Sequence, residues 1–323
     1  MEVLIPHWNR ASSLRRTLES LQAQRRPAQV CVIDNGSTDE TPKILAEFPG
    51  TRIIRLNENL GFGPAINRGA ATSTAELIVL LNNDAVADPE FVDALVAEQG
   101  RTGAEMVCAC MRHPDGTVES LGIEIDQSLI AYDYMHGASF EEIPSDLQPP
   151  FSPSGGAVAF LRAAFLDVGG FDEAIFAYLE DAELGLRMRG AGMRCAIAPR
   201  AFVWHQHSAS LGARSTAKNE LLGWSRAYIL AKHGSMLSWR RRVRGAAIDA
   251  IVIAGKAVID HDLGVLKGGR RARRELRETA FRAGPGLPVE PLLAELPFAT
   301  ALRWRLGRRR RGTGGPVSVT RSS

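Results

Sequence analysis

The chain has 323 residues, of which 45% are hydrophobic, so it is long enough to bury a large core as a globular protein. Its formal net charge of +3 is unevenly distributed. Residues 240–311 carry 18 Lys and Arg against 7 Asp and Glu, a net of +11, whereas the remainder carries −8, which predicts a basic carboxyl-terminal appendage.

The four cysteines lie in apolar runs and lack the paired C-x-x-C spacing of a zinc site. They are expected to be reduced, buried thiols, as is typical of a cytosolic protein. The first residues show no secretory signal, and the longest apolar segment, residues 246–259, is interrupted by Asp249 and Lys256. We therefore expect a cytoplasmic protein without a membrane span.

The first 110 residues alternate between apolar runs and amphipathic segments. Strands are predicted at residues 3–6, 30–34, 52–56, 77–81 and 106–110. Helices are predicted from residue 11, after a Ser-x-x-Glu capping box at residues 37–40, and over residues 63–72 and 89–98. This alternation is typical of a doubly wound, mostly parallel sheet flanked by helices, an α/β fold. The strand at 77–81 is apolar throughout, which favours a central position.

Asn82, Asn83 and Asp84 follow that central strand directly. Open α/β sheets bind ligands at the carboxyl ends of their strands. A single carboxylate among amides suits one or two contacts to a hard divalent cation whose other ligands are water and substrate phosphate. The alternative is a polar turn in which Asp84 caps the next helix.

Gly61 and Gly63 suggest a dinucleotide-binding fingerprint, but the third required position holds Ile66 and the pair follows the third strand. The sequence therefore argues against a Rossmann dehydrogenase. These glycines are instead expected to allow a tight turn beside the sheet.

After residue 110 the pattern changes to short strands around a turn at residues 114–117 and a proline-rich loop at 143–153. Small residues at 154–157 would let the backbone approach a ligand. Glu180, Asp181 and Glu183 lie in the first turn of a predicted helix, where the helix dipole alone also favours acids. His205 ends a predicted strand, either as a ligand or as a satisfied polar residue.

Helices are predicted in the basic appendage at residues 218–234, 239–262 and 270–282, and residues 312–323 are expected to be a disordered tail. Its arginine and tryptophan residues suit an anionic membrane surface or nucleic acid. A solvated helical surface is the simpler interpretation.

Six ordered motifs together resemble family 2 glycosyltransferases, the inverting enzymes of the GT-A fold, and in particular their rhamnosyltransferase-like branch. The matching stretches are residues 5–10, 32–39, 57–63, 81–84, 169–173 and 180–181. The resemblance covers residues 1 to about 210 and leaves the appendage out. It implies a domain at residues 1–215, with a nucleotide-sugar half at about 1–110 and an acceptor half at about 111–215, followed by the helical appendage at 216–311.

The resemblance also implies roles for individual residues. Asp181 matches the catalytic base, and Asp84 and His205 match residues of the metal site, which would bind Mg²⁺ or Mn²⁺. Asn82 stands where the family motif has its first acid. The donor would contact Pro6, Trp8, Asn9, Asp34, Asn35, Gly61, Asn67 and Asn83, and the acceptor would contact Gly155, Gly156 and Glu180.

We therefore predict an inverting glycosyltransferase that moves a sugar, with rhamnose among the candidates, from a dTDP- or UDP-sugar to a glycan or lipid-linked acceptor in surface polysaccharide or glycolipid synthesis. A bound metal would stabilise the leaving diphosphate, and one carboxylate would take the acceptor proton. The basic helices would place the enzyme at the inner face of the cell membrane. A sugar nucleotidyltransferase is less favoured because no glycine-rich, Lys-containing loop follows Ile5. The other alternative is a non-catalytic carbohydrate-binding or nucleic-acid-binding protein.

Overall fold

The computed structural model describes residues 1–144, 146–205, 215–279, 281 and 287–305. The predicted tail, the arginine run at 308–311 and His207 lie outside these ranges. The eleven strands of the described ranges are β1 (Glu2–His7), β2 (Gln29–Asp34), β3 (Arg52–Arg55), β4 (Leu77–Leu81), β5 (Ala85–Ala87), β6 (Met106–Arg112), β7 (Val118–Ser120), β8 (Ile123–Ile125), β9 (Ala131–Asp133), β10 (Ala157–Leu161) and β11 (Cys195–His205).

The ten α-helices of the same ranges fall into two groups. Six accompany the sheet: α1 (Ala11–Gln22), α2 (Thr41–Ala46), α3 (Phe62–Thr72), α4 (Phe91–Thr102), α5 (Arg162–Asp167) and α6 (Glu180–Gly190). Four follow it: α7 (Thr216–His233), α8 (Trp239–Ile259), α9 (Gly264–Glu278) and α10 (Phe298–Arg305).

The main sheet has the strand order β3-β2-β1-β4-β10-β6-β11-β5, with β7 paired to β6. Its first four strands are parallel, which confirms the predicted arrangement of the first half and the central position of β4. Beyond β4 the sheet is mixed, because β10 runs antiparallel to both β4 and β6, and β5 antiparallel to β11. An apolar run shows that a strand is buried but not which way it runs, so the sequence did not reveal this reversal.

Alternate residues of the central strands supply two cores, as the two-residue period of a strand requires. Val79 and Leu81 of β4 pack under α1, α2 and α4, whereas Ile78 and Leu80 pack under α3, α5 and α6. This explains why β4 is apolar at every position.

One local prediction was wrong, and one short strand was not predicted. The Ser-x-x-Glu pattern at residues 37–40 does not cap α2, which begins only at Thr41; the Ser37 hydroxyl instead accepts a hydrogen bond from the backbone N–H of Asn9, at 2.8 Å. The strand β5, directly after Asp84, was not predicted, because its three residues are too few for a periodic pattern.

The carboxyl-terminal helices are packed onto the second half of the chain. Tyr228 and Ile229 of α7 belong to one hydrophobic core. That core also contains Ile123 of β8, Leu186 of α6 and Phe151 in the loop before β10. Glu183 of α6 is fully buried and forms a further connection, because its carboxylate meets Arg187, Lys232 and His233 at 2.7 to 3.0 Å. The division of the chain into a domain and a separate appendage remains a prediction of the sequence.

All four cysteines are free and buried, as expected. Within the described ranges, no helix combines the length and the apolar character needed to cross a membrane.

Candidate active site

A cavity of about 640 Å³ lies beyond the carboxyl ends of β1, β2, β4 and β11. Its walls combine the polar residues that follow these strands with the loop before α6. The cavity is therefore at the edge of the sheet where an α/β fold places its ligands.

One wall carries a carboxylate–imidazole–carboxylate chain. The Nε2 atom of His205 lies 2.9 Å from Oδ1 of Asp84, and its Nδ1 atom lies 3.0 Å from the Glu119 carboxylate. All three side chains are buried and line the cavity. A metal-ligating histidine usually has its second ring nitrogen held by a carboxylate in this way.

The electrostatics of this chain suit a cation. Burial alone would lower the pKa of His205, but the adjoining carboxylates of Asp84 and Glu119 raise it to about 9. The imidazole ring therefore carries positive charge where two carboxylates converge, and a divalent cation would take the place of the Nε2 proton. Among the described residues, no group of three or more His, Cys, Asp or Glu forms a complete metal site. The Asp84–His205 pair thus fits a cation whose other ligands come from substrate and water.

A second chain of hydrogen bonds fixes Asn83. Its amide nitrogen donates to Nδ1 of His7 at 2.8 Å, so Nε2 carries the ring proton and donates to the Thr41 hydroxyl, also at 2.8 Å. The Thr41 hydroxyl in turn bonds to Asp39. Burial lowers the pKa of His7 to about 4, so the ring is neutral. One of the two N–H groups of Asn83 is thereby used, and its orientation is fixed in the wall of the cavity, where its amide can meet a ligand.

Asp181 lies at the start of α6 and lines the cavity. One carboxylate oxygen accepts from the backbone N–H of Gly155 at 3.0 Å and the other from that of Ala182 at 2.8 Å. Burial raises the pKa of Asp181 to about 6, even though these two hydrogen bonds oppose the rise. The carboxyl group is therefore oriented, ionised at neutral pH and more basic than an ordinary aspartate, as a general base requires.

The neighbouring Glu180 is only 8% exposed and also lines the cavity. Its Oε2 atom is buried without a hydrogen-bond partner. Burial, followed by the charge of Asp181, raises the pKa of Glu180 to about 8, so the group is protonated at neutral pH. Two adjacent acids therefore differ in charge, with a neutral Glu180 beside an ionised Asp181.

The loop before α6 adopts a strained conformation. Tyr178 and Leu179 have positive φ angles of 69° and 66°, which side chains other than glycine seldom adopt. Gly61 contacts this loop closely: it has φ 97°, and a Cβ atom there would lie 2.3 Å from the carbonyl oxygen of Phe176. Gly61 is thus required to connect the first half of the chain to the loop that presents Asp181.

The carboxyl-terminal helices complete the cavity. Lys218 and Leu222 of α7 and Trp304 and Arg305 of α10 form part of its wall. Trp304 packs edge-on against Tyr132, with 5.3 Å between the ring centroids. Residues more than two hundred positions after β1 therefore help to shape the site.

The structure brings most of the predicted site residues together. Pro6, Trp8, Asn35, Gly61, Asn83, Asp84, Gly155, Gly156, Glu180, Asp181 and His205 all line the cavity.

Three predicted donor residues are placed elsewhere: within the described ranges, the cavity wall does not include Asn9, Asp34 or Asn67. The side-chain oxygen of Asn9 accepts from the backbone of Thr38, and Asp34 is buried and accepts from the backbone of Ser37. Asn67 bonds to both the N–H and the carbonyl group of Phe171, at 2.9 Å each. In this structure, all three side chains hold loops in position.

Several wall residues were not predicted. Glu119 lies on the three-residue strand β7, and Lys218, Trp304 and Arg305 lie on the late helices. Nothing in their local sequence marks them, because their approach to the cavity depends on tertiary packing. His7 lies in the motif at residues 5–10, directly after the predicted strand at residues 3–6. That position at the end of a strand was the signal that could have identified it as a site residue.

Comparison with known proteins is decisive for the family. A family model described as "Glycosyl transferase family 2" matches residues 2–169, more than half of the chain. The chain belongs to glycosyltransferase family 2. Both the predicted family and the prediction of a glycosyltransferase enzyme are confirmed, in preference to a nucleotidyltransferase or a non-catalytic binding protein.

Two relatives indicate which branch of the family this chain is similar to. N-acetylglucosaminyl-diphospho-decaprenol L-rhamnosyltransferase of Mycobacterium tuberculosis is 31% identical over 289 residues, which cover 81% of this chain and 91% of the relative. The O-antigen biosynthesis protein RfbC of Myxococcus xanthus is also 31% identical over 227 residues, but this chain spans only 17% of its length. The predicted rhamnosyltransferase-like branch is confirmed.

Solved structures confirm the α/β fold of the GT-A type. The mannosyltransferase PcManGT from Pyrobaculum calidifontis, in complex with GDP-Man and Mn²⁺, has a TM-score of 0.55 at 17% identity, covering 88% of this chain and 76% of that one. GalNAc-T7 with UDP, GalNAc and Mn²⁺ has a TM-score of 0.60 at 16% identity, covering 87% and 56%. At these identities the likeness concerns the fold.

Proposed function

We propose that this family 2 glycosyltransferase transfers a sugar, with L-rhamnose as the first candidate, from a dTDP- or UDP-linked donor to a hydroxyl group of a glycan or lipid-linked acceptor, with inversion at the anomeric carbon. The observation that carries the proposal is the oriented Asp181 carboxylate in the same cavity as Asp84 and His205. The rhamnosyltransferase relative, which the chain matches over 91% of its length, supports the choice of sugar and of acceptor.

In this reaction Asp181 is the general base. The acceptor hydroxyl loses its proton to the carboxylate as its oxygen attacks the anomeric carbon, while the bond to the diphosphate breaks. The hydrogen bonds from Gly155 and Ala182 hold the carboxylate in place in the cavity wall. A single displacement needs one base and no covalent enzyme nucleophile, and it inverts the configuration.

We further propose that Asp84 and His205 hold one Mg²⁺ or Mn²⁺ ion. Their ligand atoms are 2.9 Å apart, and Glu119 fixes the ring so that Nε2 faces the cavity. The bound ion would neutralise charge on the donor diphosphate. The mannosyltransferase and GalNAc-T7 structures, both with Mn²⁺, support a divalent cation.

The donor and acceptor are proposed to occupy different parts of the cavity. Pro6 and Trp8 offer apolar contact for the nucleoside, and Asn83 lines the same cavity. The Asn35 amide holds the adjoining loop, because it donates to Asn59 and Gly61 and accepts from the backbone N–H of Leu60. The acceptor would lie between Asp181 and the wall formed by Tyr132, Trp304 and Lys218, since aromatic faces and a cation suit a sugar that carries phosphate. The layout is then a catalytic domain at residues 1–215 followed by the appendage at 216–311, whose helices α7 and α10 close the acceptor side. The enzyme would work in surface polysaccharide synthesis in the cytoplasm.

The test is a screen of dTDP-, UDP- and GDP-sugars by thermal stabilisation, with and without Mg²⁺ or Mn²⁺. A ligand that binds only the folded protein raises its melting temperature. We expect dTDP-rhamnose or a UDP-sugar to stabilise the protein, and the metal to enlarge the effect. Stabilisation by none of these donors in the presence of either metal would contradict the proposal.

A further inference from the structure

Exposed apolar side chains are concentrated on one helix. Twelve large hydrophobic residues are exposed among the described residues, and six of them lie between Trp239 and Leu263. Single exposed apolar residues are normal on a protein surface, whereas a cluster marks an interaction site.

Three of these six side chains, together with three exposed alanines, form one continuous face of α8. Gly245, Ile248 and Val252 are buried and define the inner side of the helix. On the opposite side, at intervals of three or four residues, lie Trp239, Val243, Ala246, Ala250, Ala254 and Val258, all of them exposed. We call these six residues the outer face of α8. It is about 29 Å long at 1.5 Å per residue, and it carries no charged residue.

Positive charge lies at the amino-terminal end of this apolar face, whereas the exposed Asp260 follows its other end. Arg240 and Arg242 are exposed in the first turn beside Trp239, and residues 240–311 carry a net charge of +11. An interfacial helix combines an apolar face with flanking arginines and an aromatic residue at the level of the headgroups. Two copies of this chain joined through α8 would bring like charges together, whereas anionic headgroups would neutralise them.

The outer face lies close to the cavity. Ala301 of α10 packs against Ile248 and Val252 on the inner side of α8. Trp304 and Arg305, at the end of the same helix, line the cavity. The inner side of α8 therefore packs on α10, and α10 forms part of the proposed acceptor wall.

We propose that the outer face of α8 docks the protein, as a peripheral protein, on the surface of an anionic lipid bilayer, with Trp239, Val243 and Val258 inserted among the headgroups. Docking there brings the cavity to the membrane surface, where a lipid-linked acceptor would be presented. The docking itself does not depend on the proposed reaction, and it is tested without any sugar donor.

The experiment compares full-length proteins by vesicle flotation. The variant Trp239→Gln/Val243→Gln/Val258→Gln changes three highly exposed residues, and the control Ile53→Gln/Leu166→Gln changes two exposed apolar residues elsewhere. With vesicles of phosphatidylcholine and phosphatidylglycerol, we expect the wild type and the control to bind and the triple variant to bind roughly tenfold less, since each removed side chain loses part of its transfer free energy. Binding should weaken with added salt and on pure phosphatidylcholine.

Equal vesicle binding by the wild type and the triple variant, or no binding by the wild type, would overturn the proposal. The proposal would also be overturned if light scattering found the wild type and the control to be dimers and the triple variant to be a monomer. The outer face would then contact a second copy of the chain. Transfer to a water-soluble acceptor analogue should be unchanged in the triple variant. Failure of transfer in the wild type would count against the proposed function and leave the vesicle result standing.

Discussion

Replacing Glu180 with Gln should stabilise the protein, and more so as the pH rises. The side chain is nearly fully buried, and its pKa is raised from an ordinary 4.5 to about 8. Folding at pH 7 therefore requires the uptake of a proton. At about 1.4 kcal/mol per pH unit above the unfolded pKa, this costs on the order of 3 kcal/mol. Glutamine has the same shape without this cost.

The direction of this pH dependence follows from the difference in proton binding between the folded and unfolded states. Between pH 4.5 and 8 the folded protein holds a proton that the unfolded chain has lost, so the contribution of Glu180 is most favourable below pH 4.5 and is lost as the pH rises through about 8. Urea unfolding at about pH 5.5 and pH 7 should show the advantage of Glu180→Gln growing by about 2 kcal/mol. The matched control is Glu141→Gln, at an exposed acid. The same advantage at both pH values would refute the buried, protonated state of Glu180.

Three further predictions follow from the metal chain and the buried Glu183 contacts. Asp84→Ala should abolish the metal-dependent part of nucleotide binding, measured by calorimetry, while leaving the fold intact; unchanged metal dependence would remove Asp84 from the site. Glu119→Gln should weaken metal binding by roughly 10- to 100-fold, the range seen when a residue that orients a ligand is lost. Burial alone would raise the pKa of Glu183, but His233 and Arg187 hold it well below its usual range. Glu183→Gln should therefore destabilise the fold by about 3 to 5 kcal/mol above pH 5, and by less in acid. Denaturant unfolding that shows no loss at neutral pH would contradict this.

Much of the fold could be predicted because the first half obeys simple patterns. The strands β1 to β4 and the helices between them coincide with the predicted segments to within a few residues. Their apolar residues repeat with the period of a strand or a helix, which depends on local geometry alone. The direction of β10 and the short strand β5 could not be predicted, since pairing partners are decided by contacts distant in sequence.

The residues of the candidate site could likewise be predicted only in part. Asp84, Asp181 and His205 stand at element ends, where polar residues interrupt apolar runs, and the structure brings them to one cavity. Glu119 and Trp304 reach that cavity only through packing between distant elements, and no local pattern marks them. The loop-holding contacts of Asn67 show the converse, because an amide in a helix has the same sequence signature whether it binds a ligand or a backbone.

Transfer by Asp181→Asn tests the central claim most directly. The substitution preserves size and at least one backbone contact but removes the base, so donor binding should survive while transfer falls by roughly 10² to 10⁴ fold. The wild-type rate should fall as the pH drops below about 6, where Asp181 becomes protonated. The measurement is the rate and the anomeric configuration of the product, followed by NMR with the donor found in the screen. We expect inversion by the wild type and almost no transfer by the variant. Near-wild-type transfer by Asp181→Asn, or a product that retains the configuration of the donor, would contradict the account.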